Sequence, residues 1–248
     1  MNDLLLIAGN DLNAEFYDEL LARLRVHDLR VKVVTLPGHP ASVVPAPASW
    51  SDLSEQIGRF ALEHLKQGGT LGGHSLGALV ALLALPHAPH AHRLLLLEPA
   101  IPPSRFFAKQ MSRRYLKNVV HGDRTRFSNW TGTHRRIAHP DRFPPHALDQ
   151  YSKTRAAAKW RAISDLLEAL PTQYPLPRPA LPTLVVSGRQ AGWRARWLAR
   201  WLRRYLPRAR RVVIDDAAHW LANECDHALA GHIANFCHET RYRGGHPV

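Results

Sequence analysis

A chain of 248 residues with 45% hydrophobic content has material for one buried core, and no apolar run reaches membrane-spanning length. Its two cysteines, Cys225 and Cys237, make no disulfide framework, and a strand pattern starts almost at Met1, so a reduced, cytoplasmic protein without a signal peptide is expected. The formal charge of +13 is uneven: residues 101–180 hold 15 Lys and Arg against 5 Asp and Glu, and Arg189 to Arg211 holds nine arginines and no acid, fields suited to anionic substrates or acidic partners.

In chain order, Leu4-Leu5-Leu6-Ile7-Ala8 reads as a buried strand. Asn13 is placed to cap a helix carrying Phe16, Leu20, Leu21 and Leu24. Val31 to Leu36 predicts a second strand, ended by Pro37-Gly38-His39-Pro40, and a helix is expected from about Ser51 to Leu65. Thr70 to Gly73 predicts a third strand. It runs straight into Gly73-His74-Ser75-Leu76-Gly77 and the helical run to Leu83.

Strand, Gly-x-Ser-x-Gly and helix in that order make a nucleophile elbow. A sharp turn lifts the serine hydroxyl off the sheet, and small residues two before and two after it let neighbouring backbone close in. The helix that follows points its free amides at an anion developing on the substrate. Ser75 is therefore the candidate nucleophile.

Leu94 to Leu97 predicts the next strand, followed by Glu98-Pro99. From Pro99 to Pro182 the strand signals stop, and the pattern is helical over Ser104 to Val120 and Leu148 to Leu170. Strands return at Thr183 to Val186 and Arg211 to Ile214. Between them Trp193, Trp197 and Trp201 stand at four-residue intervals, a stripe read as core packing. One helix is expected from Leu221 to Cys237, containing both cysteines. His87, His90 and His92 cluster in a loop without regular ligand spacing, so neither a metal nor a cofactor is expected.

Over nearly its full length the chain resembles the α/β-hydrolase family of the serine esterase type. That resemblance implies about six mostly parallel strands with helices on both faces, formed by residues 1–98 and 182–248, and an inserted helical lid at 99–181. It implies His219, in Asp215-Asp216-Ala217-Ala218-His219-Trp220, as general base, and Glu224 matches a further family feature. The usual acid position after the Thr183 strand is occupied by Ala191. Some members place the acid at the end of the preceding strand, where Glu98 stands; Asp215, Asp216 or no acid at all are the other readings. The oxyanion donors are expected to be the backbone amides of Leu76 and Asn10, with Gly9 allowing the tight turn. Trp220, Phe106 and Phe107 are candidate substrate-binding residues.

Two local resemblances are narrower. Gly9-Asn10 with Phe16-Tyr17 has the spacing of lipid-droplet-associated hydrolases. Leu12-Asn13-Ala14-Glu15 and Ala217-Ala218-His219 are similar to the esterase that cleaves pimeloyl-acyl-carrier-protein methyl ester. The expected activity is hydrolysis of a carboxylic ester or related acyl bond in a small-molecule substrate. Basic Arg105, Arg113, Arg114, Arg124 and Arg126 suit an anionic substrate or one held on an acidic carrier protein. No nucleic-acid reading motif is present. The alternative is a catalytically impaired member of the fold that binds a ligand or partner, motivated by Ala191.

Overall fold

The computed structural model describes residues 2–10, 12–115, 138 and 161–239. Six parallel strands form one sheet: β1 (Asn2–Ile7), β2 (Leu29–Val34), β3 (Gly69–His74), β4 (Ala91–Leu97), β5 (Thr183–Gly188) and β6 (Ala209–Ile214). Their order in space is β2-β1-β3-β4-β5-β6. The apolar runs in β1 and β4 have a direct cause, since both faces of a parallel sheet are covered. Leu5 and Ile7 join the core under helices α2 (Trp50–His64), α3 (Leu76–Ala84) and α6 (Gly192–Tyr205). Leu4 and Leu6 pack on the other face with α1 (Asp18–Val26) and α8 (Asp226–His238).

The described part of the stretch between β4 and β5 contains no strand. It holds α4 (Arg105–Tyr115), α5 (Arg161–Ala169) and a tight turn, Leu170–Gln173. Trp50 Nε1 donates to the Leu166 carbonyl at 2.5 Å and the Tyr174 hydroxyl to that of Pro102 at 2.6 Å, so this stretch is tied to the core. Residues 116–137 and 139–160, which include Arg124, Arg126 and most of the expected Leu148–Leu170 helix, lie outside the described residues.

Three expectations need correction. Asn13 caps no helix; it precedes a single 3-10 turn, Ala14–Tyr17, and its side-chain amide donates to Glu15 at 3.3 Å instead. The C-terminal helix is two helices, α7 (Leu221–Glu224) and α8, broken at Cys225, so the cysteines do not share one. The break lies in the backbone of Cys225, which has φ −151° and ψ 40°, outside the helical region. The tryptophan stripe is largely outside the core: Trp193 is 66% and Trp197 41% exposed, while Trp201 stacks on Tyr205 at 4.7 Å. A strict four-residue repeat drifts around a helix with about 3.6 residues per turn, so only one end of the stripe meets the face carrying Ala199 and Leu202. The expected tight turn at Gly9 is present, its carbonyl accepting the Leu12 amide at 3.1 Å, without left-handed backbone at Gly9; a Cβ there would lie 3.0 Å from Leu12 Cδ1 and 3.2 Å from His74 Nδ1.

Candidate active site

Parallel strands bring their C-terminal ends to one edge, and the chain reverses direction across the sheet between β1 and β3. Ligand sites of open α/β sheets form at such a switch point. Here Gly9 follows β1, Ser75 follows β3, Glu98 follows β4, and His219 lies beyond β6.

Ser75 has φ 54° and ψ −116°, a conformation that costs a non-glycine residue of order 1–3 kcal/mol. Its backbone is over-determined by neighbours: its amide donates to Leu97 at 2.9 Å, and its carbonyl accepts from Ala78 at 3.2 Å and Ala100 at 2.9 Å. The two motif glycines have the spatial role the spacing predicts. A Cβ on Gly73 would lie 2.1 Å from the Gly77 carbonyl oxygen, and one on Gly77 would lie 2.3 Å from that of Ile7. Leu76 is the first residue of α3, where helix geometry directs the amide outward.

Glu98 is 3% exposed, with φ 41°. One carboxylate oxygen accepts the Gly188 amide at 2.7 Å, and the other stands 3.5 Å from His219 Nδ1. Asp215 is exposed and paired with Arg189 at 2.6 Å. Ala191 begins the turn into α6, its amide 3.4 Å from the Gly188 carbonyl. The loop carrying His219 is held from below by buried Glu224. One of its oxygens accepts the amides of Ala218 at 2.8 Å and Trp220 at 3.2 Å, and the other accepts from Ala138.

Trp220 is buried, its ring 5.2 Å from Phe16, 5.2 Å from His219 and 6.1 Å from His74. It wedges under the histidine. Phe106 and Phe107 are 64% and 45% exposed on the outer side of α4, with Phe107 6.1 Å from Trp197. Among the described residues no group of three or more His, Cys, Asp or Glu side chains is placed to hold a metal.

Two residues were not singled out for a role by sequence. The Tyr17 hydroxyl accepts the Gly9 amide at 3.0 Å and meets His74 Nδ1 at 2.9 Å, and His74 Nε2 meets the His219 carbonyl at 3.0 Å. The available signal was a histidine at the variable position of the elbow and a tyrosine eight residues past Gly9, but neither spacing says that the two meet. Burial, then repulsion from His219, pushes the His74 pKa down to about 3, and burial pushes that of Tyr17 up.

His74 is thus neutral in the folded protein, whereas in the unfolded chain it takes up a proton near its ordinary value of 6.5. Below pH 6.5 the unfolded state binds the additional proton, and stability falls by about 1.4 kcal/mol per pH unit until the folded value is approached. Urea titrations at pH 6.5 and 4.5 should therefore show the wild type losing about 2–3 kcal/mol more than His74→Gln over that interval.

The site is that of a hydrolase built on a parallel α/β sheet. The chain belongs to the alpha/beta hydrolase family, whose sequence profile matches residues 4–232. Solved structures of similar fold include Cfl2 from Burkholderia cenocepacia, with 20% identity, TM-score 0.71, and coverage of 95% of this chain and 88% of that one. MenH from S. aureus has 16% identity, TM-score 0.73, and coverage of 95% and 92%. The esterase EaEST from Exiguobacterium antarcticum has 15% identity, TM-score 0.73, and coverage of 96% and 92%. A comparison with curated proteins found no match. No described helix is long and apolar enough to cross a membrane.

Proposed function

We propose that the protein is a serine hydrolase that cleaves a carboxylic ester or related acyl bond through an acyl-enzyme. The observation that carries this reading is the buried Glu98 carboxylate, clamped by the Gly188 amide and 3.5 Å from His219 Nδ1, beside a strained Ser75 on its elbow. Glu98 takes the role that Ala191 cannot. It favours the His219 tautomer with hydrogen on Nδ1, leaving Nε2 to accept the Ser75 proton. Hydrogen bonds of such sites are commonly long before substrate arrives and tighten in the reacting complex.

Ser75 attacks the acyl carbonyl, and the amides of Leu76 and Asn10 receive the oxyanion. His219 gives its proton to the departing alcohol oxygen. It then draws a proton from water, which attacks the acyl-enzyme, and gives that proton to the Ser75 oxygen as the acyl–serine bond breaks and the acid leaves. The insertion at 99–181 acts as a lid over the acyl group, and the surplus of arginine favours an anionic ester, including one carried on an acidic protein.

The test is stoichiometric labelling by a fluorophosphonate, mapped by peptide mass, together with turnover of p-nitrophenyl esters from acetate to decanoate. Labelling at Ser75 with turnover is expected. Folded protein that neither labels nor turns over would make the fold a binding module.

A further inference from the structure

We propose that Tyr17 and His74 are positioning residues, forming a directional hydrogen-bond relay that holds the oxyanion loop, the nucleophile elbow and the His219 loop in register. The inference rests on the serine-hydrolase reading.

The direction of the relay follows from hydrogen counts. The His219 carbonyl can only accept, so the single ring hydrogen of neutral His74 is on Nε2 and donates to it, which leaves Nδ1 as an acceptor. With Nδ1 accepting, the single Tyr17 proton goes to it, and the Tyr17 oxygen accepts the Gly9 N–H, which can only donate. Every link therefore has one hydrogen and one acceptor. Depression of the His74 pKa keeps that arrangement intact, since a proton on Nδ1 would oppose the Tyr17 hydroxyl. Both side chains are buried, and their rings meet edge to face at 6.0 Å.

The relay acts on the oxyanion donor through Gly9. The Gly9 carbonyl accepts the Leu12 amide at 3.1 Å, and in a trans peptide this turns the Asn10 N–H to the opposite side. The Gly9 amide is held by Tyr17, so both flanks of this residue are fixed. Without that pin a glycine regains the widest backbone freedom of any residue, and the Asn10 amide loses its aim. At the other end, the His74 ring holds the carbonyl of His219 itself, with ring centroids 5.2 Å apart. One residue on in the chain is Ser75, so the elbow, the base and the oxyanion loop share one rigid connection.

Tyr17→Phe keeps the ring and deletes the hydroxyl. On p-nitrophenyl butyrate, well below the melting temperature, kcat is expected to fall about 10- to 100-fold with KM changed by less than about threefold. Affinity for a trifluoromethyl ketone, which mimics the oxyanion, should fall in step. His74→Leu should behave alike, the double variant should lose little beyond either single one, and His74→Gln, which keeps an acceptor beside a donor, should recover most of the activity. Independently of turnover, nitrogen NMR should find the His74 ring hydrogen on Nε2, and amide exchange at Gly9 and Asn10 should accelerate in Tyr17→Phe. A folded Tyr17→Phe with wild-type kcat and ketone affinity, or a His74 hydrogen on Nδ1, would overturn the relay. An inert wild type would refute the hydrolase reading instead, and the NMR and exchange results would then decide the relay alone.

Discussion

Glutamine in place of Glu98 is expected to lower kcat on p-nitrophenyl esters by about 10⁴-fold while leaving the urea midpoint nearly unchanged. The amide can keep its oxygen on the Gly188 N–H, so the clamp at the end of β5 survives. Its nitrogen then faces His219 Nδ1, and two donors cannot share that contact. The imidazole moves its hydrogen to Nε2, and Ser75 loses its proton acceptor. Ser75→Ala in the same assay should lose all turnover that depends on the acyl-enzyme, about 10⁶-fold, which sets the floor against which Glu98→Gln is read. Asp215→Asn should stay within about twofold, because that carboxylate is exposed and engaged with Arg189. Wild-type kcat in Glu98→Gln would remove Glu98 from the site and leave a histidine acting with another acid or with none.

What was legible in the sequence divides along a physical line. Apolar runs such as Leu4 to Ala8 and Leu94 to Leu97 announce strands buried on both faces, and the parallel sheet follows from their alternation with helical periods. Ser75 was legible because a strained turn demands small neighbours at fixed offsets, and those offsets are local. Glu98 was legible only as an acid at the end of a strand; its distance from His219 depends on how β4, β5 and the loop after β6 meet. The Tyr17–His74 connection is less local still, since 57 residues separate its members and adjacency of β1 and β3 brings them together. Periodicity misled where tertiary contacts overrode it. Leu221 to Cys237 has an unbroken helical pattern, yet the backbone leaves helical geometry at Cys225, while the Glu224 side chain holds the His219 loop. The tryptophan repeat looked like a core stripe because spacing alone cannot reveal which face of α6 the sheet covers.

A single methyl group at Gly77 should cost more stability than any surface change, about 3 kcal/mol or more in urea unfolding. The new Cβ would sit 2.3 Å from the Ile7 oxygen and 2.4 Å from that of Ala8, both backbone atoms at the end of β1. No side chain can rotate to make room. Either α3 backs away from the sheet or β1 shifts against β2 and β3, and each route opens contacts in a core packed as densely as a crystal. Loss of labelling by the fluorophosphonate should accompany any fraction that folds, since moving α3 turns the Leu76 amide and the Ser75 backbone that leads into it. Gly231→Ala supplies the control, being the same substitution in helix α8 with nothing within 4 Å of the new Cβ. There the reduced freedom of the unfolded chain and the better helix propensity act without a clash, and about 0.5–1 kcal/mol of stabilisation is expected. Opposite signs for one chemical change would tie the motif glycine to the contact between the elbow helix and β1. Equal effects would show that this contact yields, and that the spacing around Ser75 has another cause.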